Sequence, residues 1–125
     1  MFELKLKEKT IHLKWGTWSM REFCLKHNIG IDKYFELLGT SQFNLDLIVQ
    51  MVYIGYKSAC MSRKEDVIYT EVDACDWIDE VGSIFSTEGQ LIDYIKYIVS
   101  STVTTVQGAT PKEEEKKKSK KANVG

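Results

Sequence analysis

The sequence predicts an α+β fold, mainly α-helical, with a small N-terminal β-hairpin packed on a bundle of about four to five helices. A disordered, basic C-terminal tail is expected to follow. Three observations carry this. Apolar and polar residues alternate through the first fifteen positions, the period of a half-buried strand. From Trp18 to Ile98, apolar residues recur at helical spacing between capping signals. After Pro111, the sole proline, almost nothing remains to bury. With 125 residues, 43% hydrophobic and 28% charged, the chain suits one globular domain over residues 1–108, with the tail at 109–125.

Phe2, Leu4 and Leu6 alternate with Glu3, Lys5 and Lys7, and Ile11, Leu13 and Trp15 alternate with His12 and Lys14, which reads as a hairpin over 2–15. The intervening Glu8-Lys9-Thr10 lacks the Asn-Gly or Asp-Gly signal of a tight turn. Residues 17–106 are expected to be mainly helical. Ser19 and Glu22 have the spacing of a capping box, so a first helix is expected to run from there to about Asn28. Asp32 is placed to cap a short second helix through Tyr34, Phe35, Leu37 and Leu38, ended by Gly39.

The strongest helix signal lies at about 43–61. Leu45, Ile48, Val52, Gly55 and Ala59 form one stripe, and Leu47, Met51, Ile54 and Met61, with Val49, Tyr53, Tyr56 and Cys60, form another. Only Asp46, Gln50 and Lys57 remain as a polar edge, so this helix is central or faces a partner. Gly55 and Ala59 would let another backbone approach closely. Ser62 to Asp66 reads as a charged linker. Thr70 and Asp73 make a second capping box before a helix at about 71–81 that turns Ala74, Trp77, Ile78 and Val81 inward. Thr87 and Gln90 are expected to cap a last helix carrying Leu91, Ile95 and Ile98. Its β-branched end, Val99 to Val106, is expected to fray or extend.

The formal charge of −1 is unevenly spread. The last fourteen residues hold six Lys and three Glu (+3), leaving 11 basic and 15 acidic residues before them (−4). Glu113-Glu114-Glu115 offsets half of the lysine charge, and no aromatic or Arg interleaves it, which disfavours nucleic-acid binding through the tail. The alternating start is unlike an export signal, and Leu45 to Cys60 is interrupted by polar residues, so a soluble protein away from membranes is expected.

No glycine-rich phosphate loop and no H-E-x-x-H occurs. Cys24, Cys60 and Cys75 are scattered among apolar neighbours and read as reduced core thiols, without the spacing of a zinc site. His12 falls on the lysine-bearing face of the hairpin, and His27 lies near a helix end; ordinary structural roles are expected for both. Asp73, Asp76, Asp79 and Glu80 share a helix face but have no opposing ligand elsewhere, and read as a solvated face. No catalytic, cofactor or metal site is therefore expected. Among Trp15, Trp18, Trp77, Tyr53, Tyr56, Tyr94 and Tyr97, most should be core, with some left as binding anchors.

The order of features over about residues 2 to 106 resembles the tail assembly chaperones of long-tailed, siphovirus-like bacteriophages. The residues carrying the resemblance are the Phe2-Glu3-Leu4-Lys5-Leu6 start and Trp15-Gly16-Thr17-Trp18-Ser19-Met20-Arg21-Glu22-Phe23-Cys24. Tyr34-Phe35-Glu36-Leu37-Leu38, Tyr53-Ile54-Gly55-Tyr56-Lys57 and Asp73-Ala74-Cys75-Asp76-Trp77-Ile78-Asp79-Glu80 follow, then a final helix and a charged tail. The resemblance implies a non-enzymatic, self-associating assembly factor in the host cell cytoplasm, absent from the mature virion. It would coat the tape measure protein and help recruit tail tube protein subunits. A frameshift-extended form of the chain is also implied, and the Lys116-Lys117-Lys118 run is compatible with a slippery stretch. Tyr53, Gly55 and Tyr56 are the expected partner or self-association interface. A different small interaction or regulatory module is the main alternative.

Overall fold

The computed structural model describes residues 1–40, 43–84 and 86–107; the tail expected at 109–125 lies outside the described residues. The alternating start forms β1 (Phe2–Lys5) and β2 (Thr10–Leu13), antiparallel, in register from Phe2 opposite Leu13 to Lys5 opposite Thr10. Leu4, Ile11 and Leu13 are buried on one face, as the alternation requires. Among the described residues five helices follow: α1 (Thr17–His27), α2 (Ile31–Thr40), α3 (Leu45–Arg63), α4 (Glu71–Val81) and α5 (Gln90–Gln107). This is the expected α+β architecture, a hairpin packed on helices.

The two-sided helix α3 is the centre. Ile48, Met51, Val52, Ile54 and Ala59 are buried, and β2, α1 and α4 all pack on it. Full burial of each large apolar side chain contributes about 1.5–3 kcal/mol, so a helix apolar nearly all round is stable only when covered on several sides. Its Gly55 meets the hairpin and α5. The Gly55 carbonyl accepts the Lys14 N–H at 3.0 Å, and a Cβ there would overlap the Tyr94 hydroxyl. The close approach expected at Gly55 is thus made by a tyrosine of the same chain.

Several helix ends differ from expectation. Helix α1 begins two residues before Ser19: Ser19 accepts the Gly16 N–H at 3.4 Å and donates to the Lys14 carbonyl at 2.9 Å, so its hydroxyl ties the helix to β2 instead of pairing with Glu22. Asn28, in the left-handed region at φ 52°, closes α1, with Ile29 N–H reaching back to Cys24 O at 3.0 Å. Asp32 lies inside the first turn of α2, and Gly39 is within the helix, which runs one residue further to Thr40, whose Oγ1 donates to the Glu36 carbonyl at 3.0 Å. Asn44 caps α3 by accepting Leu47 N–H at 2.8 Å. Helix α3 runs into the expected linker as far as Arg63, where Lys64 at φ 59° lets Glu65 N–H bond Cys60 O at 2.9 Å.

The Thr70–Asp73 capping box is present as read, with α4 over the expected residues. Thr87 does not cap α5. The helix starts at Gln90, its Asp93 N–H bonding the Gly89 carbonyl at 3.1 Å, while Gln90 is spent on β1. The β-branched end of α5 stays helical to Gln107. Ile98 and Thr102 are buried there, and that packing offsets the weak local propensity.

Candidate interaction surface

Trp15, at the end of β2, donates its indole N–H to the Tyr34 hydroxyl at 2.9 Å, and that hydroxyl shares a hydrogen bond of 2.7 Å with Thr102 Oγ1. This buried chain joins the hairpin, α2 and α5. Burial pushes the Tyr34 phenol above its ordinary pKa, opposed by the bonds to Thr102 and Trp15. Phe23 packs edge-on against both Trp15 and Tyr34, at 6.0 Å each.

Tyr34 is also the only fully buried side chain of α2. Around this anchor, α2 packs Leu37 and Leu38 half-buried against the core and leaves Ile31 and Phe35 exposed. Between α2 and α5 runs a groove of about 320 Å³ lined mainly by Phe35, Leu38, Val99, Val103 and Val106. Its exposed apolar residues range from 37% exposure at Val99 to 55% at Val106. From Val99 to Gln107, α5 carries no charged residue. Val99, Val103 and Val106 stand four and three residues apart, one face of a helix. Contiguous apolar surface of this kind on a soluble domain marks an interaction site more often than a scattered exposed residue does.

The expected interface residues sit elsewhere. Tyr56 is buried, and its hydroxyl accepts the backbone N–H groups of Ile68 at 2.9 Å and Tyr69 at 3.1 Å. Gly55 is buried against Tyr94. Tyr53 is half-buried, donates to the Tyr69 carbonyl at 3.1 Å and lies under Lys57. Of the three, only Tyr53 presents surface to another molecule. These tyrosines belong to a cluster with Tyr69 and Trp77, in which Trp77 packs edge-on against Tyr56 at 5.3 Å. Trp15, Trp77 and Tyr94 are core, while Trp18 and Tyr97 are half-buried.

The remaining chemistry-bearing residues have structural work. Gln50, expected on a polar edge, is buried and donates to Glu71. Asp73 caps α4, and Glu80 accepts Lys7 N–H from the hairpin. His12 lies across the strands from Glu3 at 3.6 Å. His27 packs at a tilt against Phe23, ring centroids 4.6 Å apart, its Nε2 buried with no partner among the described residues, and burial lowers its pKa against the opposing pull of Asp46, 4.0 Å away. Of the three thiols, Cys60 is buried and Cys24 half-buried, with its pKa raised by burial. Cys75 is exposed, contrary to expectation, because the buried face of α4 is taken by Ala74, Trp77 and Ile78. Among the described residues no group of three or more His, Cys, Asp or Glu is arranged to hold a metal, and no helix is long and apolar enough to cross a membrane.

In the sequence, Val99 to Val106 stand out only as a β-branched end expected to fray or extend, not as a binding surface. The four-and-three spacing of Val99, Val103 and Val106 is the signal for the groove. Compared with protein-family models, curated proteins and solved structures, the chain matches none.

Proposed function

We propose that this protein is a non-enzymatic assembly chaperone that shields an apolar helical partner, and that the partner is the tape measure protein of a long-tailed bacteriophage. The observation that carries the reading is α2, anchored by the buried Tyr34 and flanking an uncharged apolar groove against α5. A groove of this kind fits the helix-in-groove mode, in which apolar anchors at successive helical turns fill a complementary channel. The tape measure protein as partner, recruitment of tail tube subunits, self-association, a frameshift-extended form and residence in the host cytoplasm but not the virion rest on the resemblance in residue order, and are part of the same proposal. Weak contacts repeated along one long partner supply avidity while each copy stays releasable.

The groove is tested by comparing Phe35→Asp with Val72→Asp, a control on the exposed face of α4. Both are expected to fold. Only Phe35→Asp should abolish co-purification with a tape measure protein; equal retention by both variants removes the groove from the account. Retention of a different protein by the wild-type chain, through the same groove, would favour another interaction module.

A further inference from the structure

The hairpin has two edges, and they are treated differently. Leu6 donates to the Lys9 carbonyl at 2.8 Å, which sets the phase of the ladder: the Leu4–Ile11 and Phe2–Leu13 pairs face inward, and residues 3, 5, 10, 12 and 14 turn their backbone groups outward. Outward contacts observed at Lys5 and Lys14 agree with this phase. On β1 the Gln90 side chain covers the edge at Lys5, accepting its N–H at 2.7 Å and donating to its carbonyl at 2.9 Å, and Glu80 accepts Lys7 N–H, which leaves Glu3 without a backbone partner among the described residues. On β2, Lys14 N–H is taken by Gly55. Among the described residues, the backbone N–H and C=O groups of Thr10 and His12 have no partner.

Those residues line a cavity of about 300 Å³, together with Ala59 and Cys60 of α3 and Ile68 and Tyr69 of the link between α3 and α4. Lys9 Nζ reaches the Tyr69 hydroxyl at 3.4 Å and ties the hairpin turn to that link. We propose that this slot beside β2 is a peptide-binding site, in which an extended segment of a partner protein adds as a third strand to the hairpin. The inference goes beyond the chaperone reading and does not depend on it, since the groove between α2 and α5 is built from other elements.

Three features select that occupant. Alternating donors and acceptors two residues apart are matched by another polypeptide backbone in the β conformation, and at a rise of about 3.3 Å per residue the free edge accommodates about three residues. Ala59 and Cys60 are buried, apolar positions, so an alternate side chain of the peptide that enters the slot is small and apolar. The cavity's volume of about 300 Å³, lined on the side of the link by Ile68 and Tyr69, suits a short extended segment rather than the edge of a second folded copy. Arg63 and Glu65 of the lining pair with each other at 3.0 Å, and Asp66 beside them has no ion-pair partner among the described residues, so a basic residue flanking the small apolar one suits this slot.

The test selects binders to the full chain from a library of random unstructured peptides. In the free protein, amide exchange at Thr10 and His12 should be fast while Ile11 and Leu13 are protected, and selected peptides should slow the first pair. Thr10→Pro removes one outward N–H at the first residue of the strand, where proline is tolerated. It should weaken peptide binding at least tenfold at an unchanged unfolding midpoint. Ile68→Trp, which narrows the slot from an exposed position of the link and leaves the edge intact, should do the same if Thr10→Pro perturbs folding. The proposal is overturned if Thr10 and His12 are already protected in the free chain, if the library yields no binder, or if neither variant weakens the peptides it yields.

Discussion

Replacing Gly55 with alanine is a demanding test of how α3, the hairpin and α5 fit together. The new Cβ would overlap the Tyr94 hydroxyl, lie 3.1 Å from its Cζ and 3.4 Å from Leu13 Cβ. Tyr94 is 1% exposed, donates to the Met51 carbonyl at 2.8 Å and lies beside Phe2 and Tyr97, so the ring has little space to yield. Overpacking of a close-packed core costs about 1–3 kcal/mol. Stranding the buried hydroxyl adds about 1–3 kcal/mol. Alanine returns about 1 kcal/mol in helix propensity. The expected balance is a loss of about 1–5 kcal/mol, read by urea denaturation. Tyr94→Phe alone should cost about 1 kcal/mol, and the double variant should recover much of the Gly55→Ala loss, giving a strong coupling in a double-mutant cycle. A Gly55→Ala protein as stable as the wild type, or stabilised as a solvent-facing helical glycine would be, would refute the packing. A change confined to self-association would instead put Gly55 at an interface between copies.

Three further outcomes follow from the geometry. Tyr56→Phe leaves the Ile68 and Tyr69 amides without their acceptor and should cost about 1–3 kcal/mol, with faster amide exchange at those two residues; unchanged exchange would show that the hydroxyl does not hold the link. His27 has its folded pKa lowered below the ordinary 6.5 by burial, so the unfolded chain takes up the proton first. Its contribution is present above pH ~6.5 and lost as pH falls toward the folded value, and His27→Gln should flatten the denaturation midpoint across that window. The Tyr94 phenol is held well above its ordinary pKa of 10.0 by burial. Stability should therefore fall as pH rises past that value, where the unfolded chain ionises first, and Tyr94→Phe should reduce the fall.

Local signals are the ones legible in the sequence. The Thr70–Asp73 box is read correctly because both partners lie within four residues and nothing distant competes for them. Ser19 carries the same spacing to Glu22, but its hydroxyl is bound to the Lys14 carbonyl across the join from β2 to α1, a contact that spacing does not reveal. Gln90 likewise reads as part of a cap and instead covers the edge of β1 at Lys5, 85 residues away. The helix α3 is legible as central from its two apolar stripes. That Tyr56 and Gly55 are consumed inside the fold is not, because their partners come from the 65–69 link and from α5. The groove escapes for the opposite reason: β-branched residues at the end of α5 suggest fraying, and the tertiary anchor of Thr102 on Tyr34 keeps them helical and in line.

The central claim is that this chain shields an apolar helical partner. It is tested most directly by expressing a siphovirus tape measure protein with and without the chain and measuring how much of that protein stays soluble and co-purifies. The expected result is rescue in a complex carrying several copies of the chain. No rescue and no association would contradict the claim.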